Sequence, residues 1–186
     1  PCKNKSCKAC GLYLHQAPIY DERKISSVFW VGLSAIQFDQ DEEKRPLSIL
    51  TPSGALIHSI EKPFKKKISF YKTNMVKCVP LMEDKIRYPI DEEMERCFPN
   101  FETELSELQP RTVFLLGKQV SKFVFKKFKK QVPDLDESFR YTTTKIDGIN
   151  FISVHHPSYI LIYKRKSLDS YIKNIQGLFR SEKPEY

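Results

Sequence analysis

Four cysteines carry the plainest chemistry in this chain. Cys7 and Cys10 form a C-x-x-C pair, and Cys78 and Cys97 follow far downstream with eighteen residues between them. Thiolates are soft ligands, and sulfurs at C-x-x-C spacing can grip one metal atom. Four of them from separate segments suit a tetrahedral zinc or an iron–sulfur cluster; the remaining reading is four unrelated buried thiols. Cys2 is a fifth, either a spare thiol in an N-terminal arm or a competing ligand. Two further residues are suited to polar recognition. Asn74, within Thr73-Asn74-Met75-Val76-Lys77-Cys78, offers both a donor and an acceptor; the alternative is an Asn capping the turn after its strand. His156, within His155-His156-Pro157-Ser158, offers a ring N–H that gains most where negative charge develops; otherwise it is one more histidine of a core or turn.

These residues need elements to position them. Short apolar runs at 28–31, 70–76, 113–116 and 151–154 read as buried parallel strands. Helical patterns lie between and after them. One follows Pro52-Ser53-Gly54 with Leu56, Ile57 and Ile60 on one face, and one starts at the acids Asp91-Glu92-Glu93 and stops before Pro110. Two more cover residues 118–130 and 167–179. Strand–helix alternation predicts an α/β fold: a three-layer α/β/α sandwich on a central, mostly parallel four-stranded sheet, forming one domain over residues 1–186 with an N-terminal cysteine-bearing arm. Ligands in such sheets bind where strands end. The segments after the four strands are Gly32-Leu33-Ser34-Ala35, residues 74–80, Gly117-Lys118-Gln119 and His155-His156-Pro157-Ser158, and they should share one rim.

Composition narrows the classes. With 186 residues and 40% hydrophobic content the chain can build a core. No apolar run approaches the roughly 20 residues that span a bilayer. Residues 1–5 have no apolar stretch behind them and do not read as a signal peptide. The expectation is a cytoplasmic protein in a reducing compartment, where cysteines bind metal or do chemistry. The proline at position 1 reads as a start from which residues have been removed. A net charge of +8 suits a polyanion, although a merely basic soluble protein has the same balance.

Taken in order, these segments resemble the iron–sulfur uracil-DNA glycosylases, families four and five of the uracil-DNA glycosylase superfamily. The resemblance runs from Cys7 and Cys10 through Gly32-Leu33-Ser34-Ala35-Ile36, Arg45-Pro46 and Gly54-Ala55-Leu56. It continues through the T-N-x-V-K-C-x-P match at residues 73–80, Glu92-Glu93, Cys97, Leu108-Gln109-Pro110, Leu115-Leu116-Gly117 and His156-Pro157-Ser158. It implies a 4Fe–4S cluster on Cys7, Cys10, Cys78 and Cys97, with zinc as the alternative occupant. DNA is then the partner of a monomer with no obligate protein partner. Two positions depart from the family. Leu33 stands where family four carries an acid, which is closer to the Gly-Leu-Ala-Pro-Ala of family five. Leu47 stands where the family often places a stacking Phe, and the segment from there to Gly54 is longer.

The resemblance assigns roles. Asn74 reads the edge of an extruded base, with either uracil or cytosine matching a suitably turned amide. His156 stabilises the leaving base. Gly32, Leu33, Ser34 and Leu47 line its pocket. With Leu33 at the acid position, Asp39 is the carboxylate nearest to hand for positioning water. Its alternative, shared with Asp41, Glu42 and Glu43, is a solvated acidic loop. Residues 158–166 fall where the family has a DNA-penetrating loop. Ile160 or Leu161 would fill the gap left by the base, while Ser158, Lys164, Arg165 and Lys166 hold DNA. Lys118 starts a helix suited to phosphate. The expected activity is a monofunctional DNA glycosylase that excises uracil or a modified pyrimidine and leaves an abasic site. Two alternatives stand beside it: a glycosylase acting on hypermodified viral DNA in antiphage defence, such as glucosylated hydroxymethylcytosine, and a non-catalytic iron–sulfur DNA-binding protein. A zinc-stapled phosphate-binding protein is a third class.

Overall fold

The structure is a computed structural model, and it describes residues 7–37 and 44–180. Its centre is a five-stranded sheet in the order β2-β1-β5-β7-β6. Strands β1 (Val28–Ser34), β2 (Phe70–Val76), β5 (Thr112–Leu116) and β7 (Ile149–Val154) run parallel, while β6 (Thr143–Ile146) pairs antiparallel with β7 at one edge. The four expected strands are all present. The fifth corrects the four-stranded expectation. It is a half-exposed edge strand of three polar residues and Ile146, with no apolar run, and it turns into β7 through Asp147 and Gly148, both at positive φ. A two-stranded hairpin, β3 (Leu81–Met82) with β4 (Lys85–Ile86), follows β2 and turns through Glu83 and Asp84, also at positive φ.

Side-chain alternation along the strands divides the core in two. Phe29, Val31, Tyr71, Met75, Val113 and Leu115 face helices α2 (Asp91–Leu108) and α3 (Lys118–Lys127), meeting Phe98, Phe101, Val120 and Val124. Val28, Trp30, Phe114, Leu116, Ile152 and Val154 face the other way. There they meet α1 (Pro52–Glu61), α4 (Pro157–Tyr163) and α5 (Leu168–Arg180) through Ile57, Ile60, Ile160, Tyr171 and Phe179. The result is the expected α/β/α sandwich. Local chemistry sets the helix starts. The Thr51 hydroxyl accepts from Gly54 N–H ahead of Pro52 at α1. Glu93 accepts from Ile90 N–H at α2, which begins with three acids. Among the described residues no helix is long and apolar enough to cross a membrane.

Candidate active site

The parallel strands end on one rim. There Gly32, Leu33, Ser34, Asn74, Gly117, Lys118, His156 and Ser158 line a single cavity of about 960 Å3 with Arg45, Leu47 and Ser48. That is at the upper end of the roughly 300–1,000 Å3 typical of ligand sites.

Asn74 is buried on β2 beside Gly32 of β1. A Cβ at Gly32 would stand 2.3 Å from Asn74 Oδ1, so glycine is what lets the amide lie across β1. No side-chain hydrogen bond occupies that amide among the described residues; it does not cap the turn. The Asn74 carbonyl instead accepts from Lys77 Nζ at 2.7 Å. Lys77 is itself buried, bonded to Thr73 Oγ1 at 2.6 Å and to Glu104 Oε2 at 2.7 Å. Glu104 also accepts from the Tyr71 and Thr73 hydroxyls. Four polar side chains and a carbonyl thus satisfy one another beneath the cavity and fix the backbone of Asn74. Burial and the Glu104 carboxylate push the Tyr71 hydroxyl far above its ordinary value, which keeps it a donor.

His156 caps the N-terminus of α4. Its Nδ1 accepts from Ser158 N–H at 3.1 Å and lies 2.7 Å from Ser158 Oγ. A backbone N–H can only donate, so Nδ1 is unprotonated and the ring proton sits on Nε2, the nitrogen left free to donate. Burial lowers the His156 pKa, which favours this neutral form. Gly117, at φ +93, lets the chain pass beneath: a Cβ there would stand 3.3 Å from His156 Cβ. His155 takes the packing role instead. It is buried, 3.1 Å from the Tyr141 hydroxyl through Nδ1 and stacked on Tyr159 at 5.5 Å.

Leu33 and Leu47 both touch the cavity, and each also packs against core. Leu47 holds φ +49, an uncommon conformation for a leucine. Gly54 makes room for the turn, since a Cβ there would collide with the Ser48 carbonyl at 1.9 Å. Lys118 is exposed at the start of α3. Asp39, Asp41, Glu42, Glu43 and Cys2 lie outside the described residues.

The expected penetrating loop is corrected. Its first six residues belong to α4, because Pro157 and the His156 cap nucleate a helix. Ile160 is wholly buried, and Leu161 is half-buried against the second core, so neither is the exposed apolar side chain of this segment. Those are Ile162 and Tyr163, 68% and 70% exposed and lining the cavity. Of the cations, Lys164 pairs with Glu137, and Arg165 and Lys166 are exposed in a 3-10 turn outside the cavity lining. Sequence reasoning missed Ile86 at the end of the hairpin and Arg87 and Tyr88 just after it, which also line the cavity. It also missed Glu104, whose signal is an acid set among the apolar positions Phe101, Leu105 and Leu108 of α2.

A second, smaller cavity lies behind β2. Cys7, Cys10, Cys78 and Cys97 all line it. Among the described residues no group of three or more His, Cys, Asp or Glu stands as a ready site for a single ion. Donors nevertheless surround the sulfurs. Lys77 N–H reaches Cys97 Sγ at 3.4 Å, and Asn100 Nδ2 lies 3.7 Å from Cys97 Sγ and 3.9 Å from Cys7 Sγ. Arg96 donates to the Ala9 carbonyl within the C-x-x-C turn. The Cys78 thiol is pushed up to about 12, first by burial and then by the sulfurs of Cys97, Cys10 and Cys7; burial also raises Cys97. Two buried thiols that resist ionising, with the sulfurs of Cys7 and Cys10 beside them, fit a cationic centre that compensates thiolate charge.

The chain is similar to known proteins in sequence and in fold. The chain is 24% identical over 162 residues to the type-4 uracil-DNA glycosylase of Sulfurisphaera tokodaii, covering 85% of this chain and 67% of that protein. The crystal structure of wild-type SMUG2 from Pedobacter heparinus superposes with a TM-score of 0.54 at 17% identity, over 87% of this chain and 78% of that one, a likeness of fold. The family model of the uracil DNA glycosylase superfamily matches residues 16–178, which hold both the Asn74 and the His156 segments. The chain therefore belongs to the uracil-DNA glycosylase superfamily and is, by that membership, a DNA glycosylase.

Proposed function

We propose that the chain is a monofunctional DNA glycosylase that binds an extruded uracil or modified pyrimidine between Asn74 and His156 and hydrolyses its glycosidic bond. One observation carries this reading: an unoccupied buried amide and a neutral histidine whose free Nε2–H remains to donate line the same cavity. Extrusion brings the base to this rim. Asn74 pairs with its edge, and Leu47 supplies an apolar contact beside Gly32. Water oxygen bonds to the sugar C1′ as the C1′–N1 bond breaks, its electrons passing to the base. His156 Nε2–H donates to the base oxygen where that charge collects, while the water's proton leaves to solvent. Asp39 is the carboxylate this reading assigns to the water. Lys118 and the first amides of α3 hold a phosphate, and Ser158, Lys164, Arg165 and Lys166 hold the flanking strand. Lys118 is the one lysine among the described lining residues, and its place at a helix start suits a phosphate rather than a Schiff base.

Cys7, Cys10, Cys78 and Cys97 would hold a 4Fe–4S cluster. Bound there, it would tie the N-terminal segment to α2 and to the turn after β2, a structural brace. The four cysteines lining one cavity and the N–H donors beside their sulfurs support this reading.

Leu33 in place of an acid makes that wall of the pocket apolar, and Leu47 in place of a larger aromatic ring leaves it more room. A pyrimidine with a hydroxymethyl or glycosyl substituent, as in modified viral DNA, is therefore a second reading of the same site. A panel of DNAs carrying uracil, hydroxymethyl and glycosylated pyrimidines, read by alkaline cleavage of abasic sites, separates them. Release from one DNA names the base. Release of uracil alone removes the motive for a defence role, and silence across the panel from iron-loaded protein favours a non-catalytic binder.

A further inference from the structure

Among the described residues eleven large hydrophobic side chains are exposed, and five of them, Ile36, Ile86, Tyr88, Ile162 and Tyr163, line the one rim cavity. Ile162 and Tyr163 lie in the segment already assigned to DNA. Ile86 ends the β3–β4 hairpin and Tyr88 lies two residues beyond it, 54% and 72% exposed, and no step above uses them. They arrive after β2, whereas α4 follows β7, and β1 and β5 separate those strands. The two apolar pairs therefore reach the cavity from either side of its centre.

The hairpin is held firmly. Leu81 pairs with Ile86 and Met82 with Lys85, and Arg87 N–H donates to the Pro80 carbonyl at 3.0 Å. The Arg87 guanidinium grips both Glu93 oxygens, at 2.8 and 2.5 Å, and donates to the Tyr88 carbonyl at 2.9 Å. This bidentate bond holds the Glu93 carboxyl below its ordinary range. Tyr163 packs tilted against Tyr159, at 5.6 Å and 43°, but Tyr88 has no ring partner among the described residues. An anchored, unstacked aromatic ring on the lip of a base cavity offers a face to another ring. Glu83 and Asp84 offset the exposed Lys85, and Arg87 is committed to Glu93, so the hairpin has no surplus cation for phosphate and a base suits this surface.

We propose that the β3–β4 hairpin and the segment that leaves it form a base-stacking jaw in which Tyr88, backed by Ile86, takes the nucleobase next to the extruded one. The inference rests on the glycosylase reading of the cavity. A neighbouring base is free to leave its stack only in an unpaired strand, so the jaw favours single-stranded over duplex DNA. The test uses the whole chain with Tyr88→Ala and Tyr88→Phe. Binding to fluorescein-labelled single-stranded and duplex oligonucleotides is measured by anisotropy, and base release from the same DNAs is measured alongside. Tyr88→Ala should weaken single-strand binding roughly ten- to hundredfold, with a smaller effect on duplex, while Tyr88→Phe stays near the parent. Equal binding by parent and Tyr88→Ala would overturn the jaw, as would a loss confined to self-association in sedimentation, which would make the hairpin a protein interface. If the parent releases no base, the glycosylase reading fails by itself, and anisotropy still decides whether Tyr88 stacks on DNA.

Discussion

A methyl group at Gly32 would fall 2.3 Å from Asn74 Oδ1. Gly32→Ala must therefore turn the amide or part β1 from β2, with little cause to unfold the sheet. Displacements of this size cost roughly a hundredfold in rate. Single-turnover base release should drop by that order while the melting temperature moves little; an unchanged rate would free Asn74 from its assigned role. The histidine makes a prediction about pH. Burial holds His156 below its ordinary value of 6.5, and burial together with the Lys118 charge does the same for His155. Base release should stay level as pH falls through 6.5 and decline only below it, as a proton on Nδ1 breaks the bond from Ser158 N–H that holds the ring in place. Stability follows the same sign. The unfolded chain binds protons near pH 6.5 that the folded chain refuses, so stability is full above 6.5 and falls as pH drops below it. Urea midpoints measured across that range check this, and a midpoint that rises on acidification would contradict it. The residues of this site were legible through the ordered motifs of the resemblance, since an Asn after a strand or a His-Pro taken alone reads equally as turn or core. The fixed tautomer of His156 was not, because it depends on one backbone N–H two residues along.

At the scale of elements, β2 and α2 are joined by the buried pair of Lys77 and Glu104. Its ammonium fixes the carbonyl of Asn74, and the backbone N–H of the same lysine touches Cys97. Lys77→Met leaves the Glu104 carboxylate buried without its cation and should cost about 3–5 kcal/mol in denaturant unfolding. Lys77→Met combined with Glu104→Gln should recover most of that loss, since both charges are then gone. Additive losses would show that the two residues do not act as a pair. The parallel strands and four of the helices were readable from apolar runs and from acids, prolines and caps. The misses share a cause. Strand β6, the hairpin and α4 are short elements held by turn and cap geometry, and their own patterns are weak. Reading 158–166 as a loop misplaced Ile160, because one helical turn sends it into the core and brings Ile162 and Tyr163 outward.

For the whole molecule, the cysteines join segments that are distant in sequence, and the cluster reading makes that junction a condition of stability. Cys97→Ala should lower iron per chain, remove the visible absorbance and lower the melting temperature together. Full colour and iron in that variant would remove Cys97 from the ligand set. The +8 charge adds a global dependence: DNA affinity should fall steeply and linearly on a log–log plot against salt. The sandwich and its ligand-binding rim follow from strand–helix alternation alone. The chemistry at the rim required named residues, since the same fold hosts many activities. The most direct test of the account is single-turnover base release by the parent, Asn74→Ala and His156→Ala proteins on the DNA that the parent cleaves best. The account predicts that each variant stays folded, keeps its iron and loses roughly 10²–10³-fold in rate. Release at the parent rate by both variants would place the chemistry outside this cavity and contradict the account.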